Sequence, residues 1–143
     1  MNSARLVFVA IFFLAAFILI DKNEDGNFIR FAGQNVRVEI ADTPAERELG
    51  LSGRERLGEK EGMIFVFDSP GRHAFWMKDM LFPLDIIWLD ENLKVIYIKK
   101  DARPESYPEI FLPGEDAKYV LEVVAGFADK YNLKEGDGVE LNI

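Results

Sequence analysis

The sequence predicts a mainly β fold, a compact sandwich or partly open barrel of about seven short strands with one or two short helices, preceded by an N-terminal hydrophobic helix. Three observations carry this expectation. Short apolar or alternating runs recur along the chain, with glycine, proline, asparagine and aspartate between them. Strand and helix patterns do not alternate as βαβ units would. The run LVFVAIFFLAAFILI, residues 6–20, is apolar throughout and stands apart from everything that follows it.

Arg5 precedes that run and DKNED follows it. A helix of this length rises ~22 Å, against a hydrocarbon core ~30 Å thick. Local thinning of the bilayer and a snorkelling Arg5 would close the gap. A secretory signal peptide has an apolar region of similar length, but its cleavage wants small residues just beyond, where Leu19, Ile20 and Asp21 stand. The expectation is therefore a retained membrane anchor or signal segment over 1–20, a polar tether over 21–27 and a single β-rich domain over 28–143. Arg5 stays in the cytoplasm and sends the domain outside it. Secretion after cleavage is the alternative.

Within the domain, FIRF and NVRVEIA flank Gly33-Gln34 as a hairpin, with Val36, Val38 and Ile40 alternating against Arg37 and Glu39. TPAERELG is a short helix: Thr43 caps it, Pro44 suits its first turn, Glu46 closes a capping box and Gly50 ends it. MIFVFD, 63–68, reads as a strand buried on both faces. HAFWMK, 73–78, reads as the next strand, Phe82-Pro83 as an interruption, and LDIIWLD and KVIYIKK as a pair around the ENL turn. Residues 101–117 form a long connection containing Pro104, Pro108 and Pro113. KYVLEVV is a further strand, AGFADKYNL a short helix, and KEGDGVELNI a turn ending in a strand.

At 143 residues the chain is long enough for one real core, and a 49% hydrophobic, 29% charged composition excludes disorder. A net charge of −8 argues against nucleic acid as a partner, because phosphate binding needs a basic patch to displace counterions. The absence of cysteine removes thiol nucleophiles, thiolate metal sites and disulfides together. With one histidine and no G-x-S-x-G, P-loop or G-x-G-x-x-G motif, nucleophilic and nucleotide-dependent catalysis find little support.

No metal and no cofactor are expected. DKNEDG resembles the first half of a calcium loop, with Asp21, Asn23 and Asp25 alternating before Gly26, but the twelfth position holds Ala32 instead of a bidentate glutamate. A solvated acidic tether is the simpler reading. On a strand, His73 and Met77 lie roughly 13 Å apart, too far to share one ion.

AFWMKDMLFPLD, 74–85, places Lys78, Asp79 and Asp85 inside an otherwise apolar run. Asp79 belongs to a turn. An inward Asp85 needs a partner, since an unpaired buried carboxylate costs several kcal/mol; Lys78, Arg47, Arg54 and backbone amides are available. Such pairing would tie the corner shut, or Lys78 and Asp85 would edge a polar pocket floored by Trp76. The candidate ligand-binding residues are Trp76, Lys78, Asp85, Arg47, Arg54 and Glu122. In an enzyme, Asp85 or Glu122 would serve as acid or base. Tyr107 and Phe111 would either stack on a ligand such as a sugar or anchor the long connection.

VEIADTPAERELGLSGRERL, EGMIFVF, FWMKDMLFPLDIIWLD and YVLEVVAGFADKYNLKEGDGVEL resemble, in order and spacing, the family called domain of unknown function 192. The resemblance covers about residues 35–141. It implies a compact, mainly β single domain, commonly preceded by a signal peptide or anchor, and no established activity. Its motif residues fall here on Arg47, Gly50, Leu51, Arg54, Gly62, Met63, Phe75, Trp76, Met77, Lys78, Pro83, Asp85, Glu122 and Gly126. Ser52-Gly53 and Glu91-Asn92 depart from the family pattern, both on loops.

The functional expectation is a membrane-anchored extracytoplasmic domain that acts as a ligand- or partner-binding accessory module. Its partners would be the membrane, through residues 6–20, and a small molecule, glycan or protein outside the cytoplasm. A hydrolase acting on cell-envelope material and a purely structural interaction domain are the alternatives.

Overall fold

The computed structural model describes residues 26–143. The expected anchor and the calcium-loop residues Asp21, Asn23 and Asp25 lie outside the described residues. Among the described residues, no helix is long and apolar enough to cross a membrane, and no group of three or more His, Asp or Glu could hold a metal ion.

Seven strands and two short α-helices follow one another: β1 (Phe28–Phe31), β2 (Gln34–Ala41), α1 (Pro44–Leu49), β3 (Glu61–Gly71), β4 (Leu84–Leu89), β5 (Val95–Ala102), β6 (Ala117–Val124), α2 (Phe127–Lys130) and β7 (Glu140–Asn142). They form one open sheet in the order β5-β4-β6-β3-β2-β1-β7, where a sandwich would have needed two. Edge strand β5 also meets the segment before β7: the Val95 amide donates to the Asp137 carbonyl at 2.8 Å and the Gly136 amide to the Val95 carbonyl at 2.7 Å.

The β1–β2 hairpin forms as the alternation predicts, with Phe31 opposite Gln34. The capping box at α1 also forms: the Glu46 amide donates to Thr43 Oγ1 at 3.2 Å, and the Thr43 amide to Glu46 Oε2 at 3.0 Å. Two expectations need correction. First, β2 and β3 pair in parallel, from Arg37↔Glu61 to Ala41↔Phe65, so one βαβ crossover through α1 is present. Second, residues 73–78 do not form a ladder strand. They attach through a single bridge, Phe75↔Phe111, whose two hydrogen bonds are 3.0 and 2.8 Å. Period-2 burial survives there all the same: Phe75 and Met77 are buried, while Ala74, Trp76 and Lys78 are exposed.

Both faces of the sheet are covered, as the continuous apolar runs of β3, β4 and β6 require. Met63, Phe65, Ile86, Trp88 and Val120 face one core, closed by Leu51, Phe75, Met77, Met80 and Phe111 from the connections. Ile64, Ile87, Leu89, Leu121 and Val123 face the other, closed by Phe127, Ala128 and Leu133. Trp88 donates its indole N–H to the His73 carbonyl at 2.9 Å, pinning the 72–83 segment to the first face.

Candidate functional site

On that first face the 72–83 segment does not seal against α1. Between them lies a cleft of about 310 Å3, lined by Arg47, Glu48, Leu51, Phe65, Phe67, Phe75, Trp76, Lys78, Met80 and Glu122. Its walls are held from two sides. The Gly53 amide donates to the Asp79 carbonyl at 2.9 Å, and Ser52 Oγ to the Lys78 carbonyl at 3.2 Å, joining the turn after α1 to the 72–83 segment. Arg47 fastens α1 to the sheet, donating to the Asp42 carbonyl and, at 2.9 Å, to the Val66 carbonyl. Its guanidinium lies over the Phe67 ring, 5.2 Å from the centroid.

Glu122 is the chemical centre of this cleft. It sits on β6 between Met63 of β3 and Ile86 of β4, so its strand neighbours offer it nothing polar. It is 5% exposed. Among the described residues no hydrogen bond or ion pair reaches its carboxyl; Arg47 bonds the Asp42 and Val66 carbonyls instead, and Lys78 makes no pair with it. No buried polar side-chain atom there is left unpartnered, so the carboxyl keeps part of its surface open to the cleft. Burial pushes its pKa up to about 8, which keeps it predominantly neutral near neutral pH. A neutral carboxyl offers one donor and one acceptor, a different tool from a carboxylate.

Trp76 lies at the cleft mouth and is 46% exposed, which is unusual for so large an apolar side chain. Lys78 lines the same mouth and the more open groove beside it, which Leu49 and Asp79 also border. Of the six residues singled out in the sequence, four therefore meet: Arg47, Trp76, Lys78 and Glu122. Arg54 does not join them. It pairs with Glu39, donating from Nη2 at 2.7 Å, and lines a separate groove with Leu57 and Gly62.

Asp85 does not join them either. It is 1% exposed and faces the opposite core. No ion pair with Lys78, Arg47 or Arg54 forms; two backbone amides satisfy it instead. The Asp101 amide donates to Oδ1 and the Ala128 amide to Oδ2, both at 2.9 Å. The first amide sits at the bulge where Leu84↔Ala102 gives way to Ile86↔Lys99. The second belongs to the first turn of α2, whose N-cap, Gly126, has no side chain to cap with. Asp85 is thus a cap supplied from another strand.

Phe111 is buried and packs under the Lys99 ammonium at 4.7 Å, so it anchors the long connection, while Tyr107 is exposed. His73 stacks on Phe67 at 3.5 Å. A second, more open groove of about 890 Å3 runs past Asn27, Arg37, Arg56 and Lys60, where the described chain begins. It is larger than the Glu122 cleft but surface-charged, and it contains no buried polar group.

The model of the domain of unknown function 192 family, described as an uncharacterised ACR, matches residues 28–141. The chain belongs to this family. Among curated proteins, it is 31% identical over 112 residues to a UPF0127 protein of Thermococcus sibiricus, covering 75% of this chain and 67% of that one. A crystal structure from Sinorhizobium meliloti, named as a candidate transcription regulator, matches with a TM-score of 0.76 at 30% identity, covering 80% of this chain and 92% of that one. A protein of unknown function from Novosphingobium aromaticivorans matches with a TM-score of 0.74 at 34% identity, covering 80% and 82%. Seven of the family-motif residues read from the sequence line the cleft: Arg47, Gly50, Leu51, Phe75, Trp76, Lys78 and Glu122.

Proposed function

We propose that this protein is a ligand-binding module held on the outer side of a membrane by residues 6–20, with the Glu122 cleft as its binding site. The observation that supports the reading is an unpartnered, nearly buried carboxyl opening into a cleft whose buried walls are Leu51, Phe65, Phe75 and Met80 and which Arg47, Glu48 and Lys78 also line. Burial without compensation destabilises a fold, and a ligand that pairs with the group recovers that cost. The exposed Trp76 beside it offers an aromatic contact surface. Direct DNA binding, which the name of the Sinorhizobium meliloti relative brings to mind, fits poorly with a chain of net charge −8.

The test is a thermal-shift screen of residues 28–143, which contain every strand and both cores, against sugars, organic acids, amines, metals and envelope fragments. A stabilising compound whose effect is lost when Ser52→Trp blocks the cleft supports the reading. Compounds that stabilise both forms equally, or none at all, count against it.

A second reading follows from the same carboxyl. A raised pKa suits a general acid, and Glu48 is the other carboxylate lining the cleft, as a two-carboxylate hydrolase of envelope glycans would require. Turnover of such a glycan that Glu122→Gln abolishes would favour the enzyme over the module.

A further inference from the structure

We infer that the cleft takes a neutral sugar ring, one hydroxyl hydrogen-bonded to the Glu122 carboxyl and the ring face laid on Trp76. The inference rests on the cleft being the binding site and names what it binds. Matching of donors and acceptors at Glu122 selects the ligand class. Met63 and Ile86 flank Glu122 on its own sheet, and Lys99, one strand further, is occupied over Phe111. From the elements above it, α1 brings Arg47 and Glu48, and the 72–83 segment brings Lys78. None of these pairs with Glu122.

A cationic ligand can only donate, and it would meet Arg47 and Lys78 at the mouth. An anion can only accept, and it leaves the Glu122 carbonyl oxygen unpaired. A hydroxyl does both, so it is the simplest group that satisfies a protonated carboxyl completely. Trp76 adds the flat aromatic face on which the C–H face of a pyranose packs, while its neighbour Lys78 provides a further donor for ring or hydroxyl oxygens. A volume of about 310 Å3 is at the small end of ligand sites and suits one ring rather than a chain.

The test uses the full chain in phosphatidylcholine nanodiscs, which carry no sugar headgroups. Glucose, galactose, mannose and N-acetylglucosamine are titrated in parallel with benzoate and benzylamine, reading tryptophan fluorescence. Trp88 is fully buried, so a change at the cleft reports on Trp76. The expected result is saturable binding of at least one sugar at about pH 6, lost by about tenfold or more at about pH 9.5, where Glu122 has ionised. Trp76→Phe should silence the optical signal. Glu122→Gln, which keeps a donor and an acceptor, should retain binding and lose the pH dependence. Binding of benzoate or benzylamine in place of sugars overturns the sugar inference and leaves the cleft standing as a site. No saturation by any sugar overturns it too, and the Ser52→Trp comparison then decides separately whether the cleft binds anything. A pH dependence unchanged in Glu122→Gln removes Glu122 from the recognition.

Discussion

Asp85 and Glu122, the two buried acids of this domain, sit one register step apart on neighbouring strands and face opposite sides of the sheet. Ile86 pairs with Glu122, and Asp85 pairs with Val123. That single offset gives two carboxyls two unrelated tasks. Asp85 accepts two backbone amides that a bulge and a helix start leave over, whereas Glu122 accepts nothing and opens into a cleft.

Asp85→Ala should therefore destabilise the fold by about 2–4 kcal/mol, the usual penalty for orphaning two amides of which one is fully buried. Asp85→Asn should cost less, about 1–2 kcal/mol, because the amide oxygen still serves one of the two donors. Neither change should alter ligand binding measured well below the melting temperature, since the cleft lies across the sheet. Urea unfolding and a ligand titration on the same samples check this; a binding loss at unchanged stability would contradict it.

Glu122 predicts a stability that depends on pH in a particular direction. Its carboxyl titrates at about 8 when folded, against 4.5 as the ordinary value, so the folded state holds its proton more tightly than the unfolded state does. Stability from this group is greatest below about pH 4.5, falls as pH rises through the interval to about 8, and is level above it. Integrated over that interval the loss is several kcal/mol. Glu122→Gln has no such proton to lose. The difference in unfolding free energy between the two proteins should grow in favour of the variant from about pH 5 to about pH 9, measured by urea denaturation. A difference that stays flat would mean that Glu122 is not buried as described.

The strands were legible because apolar alternation and turn residues are local signals, and so was α1, whose Thr43, Pro44, Glu46 and Gly50 all do what their types suggest. The parallel β2–β3 pairing was hidden, because its crossover is a six-residue helix and an irregular loop instead of a long amphipathic helix. Residues 73–78 show the limit of periodicity: Phe75 packs edge-on against Phe65 and Trp88 and Met77 joins the same core, without a hydrogen-bonded ladder. Glu122 carried a signal, a lone acid inside KYVLEVV. Nothing local said that Asp85 would meet amides and Glu122 would meet none, since the Asp85 partners come from residues 101 and 128, far along the chain.

Arg47 should matter for the shape of the cleft more than for its charge. Its guanidinium bonds two carbonyls from the strand end and β3 and covers Phe67. Both bonds come from one guanidinium nitrogen, Nη1, while the planar group behind it covers Phe67; the non-planar ammonium of Arg47→Lys cannot hold both carbonyls and cover the ring at once. It should cost about 1–2 kcal/mol in stability and weaken any cleft ligand, although the charge is kept. Equal stability and binding in Arg47→Lys and the wild type would show that charge alone suffices.

Gly62 is the position where the smallest change should reach the site. A Cβ placed there would stand 2.7 Å from the Glu122 carbonyl oxygen, 3.2 Å from Val123 and 3.3 Å from Leu121. The first of these is backbone, so it cannot swing aside; β3 and β6 must separate locally. Gly62→Ala should destabilise by about 1–3 kcal/mol, and the displacement falls on the residue that carries the cleft carboxyl. The Glu122 side chain should then be better hydrated and its pKa should drop towards the ordinary carboxylate range. Carbon-13 NMR of the glutamate carboxyls, titrated in the wild type and in Gly62→Ala, reads this directly. A Glu122 resonance that titrates at the same pH in both proteins would show that strand spacing at Gly62 does not set the environment of the acid.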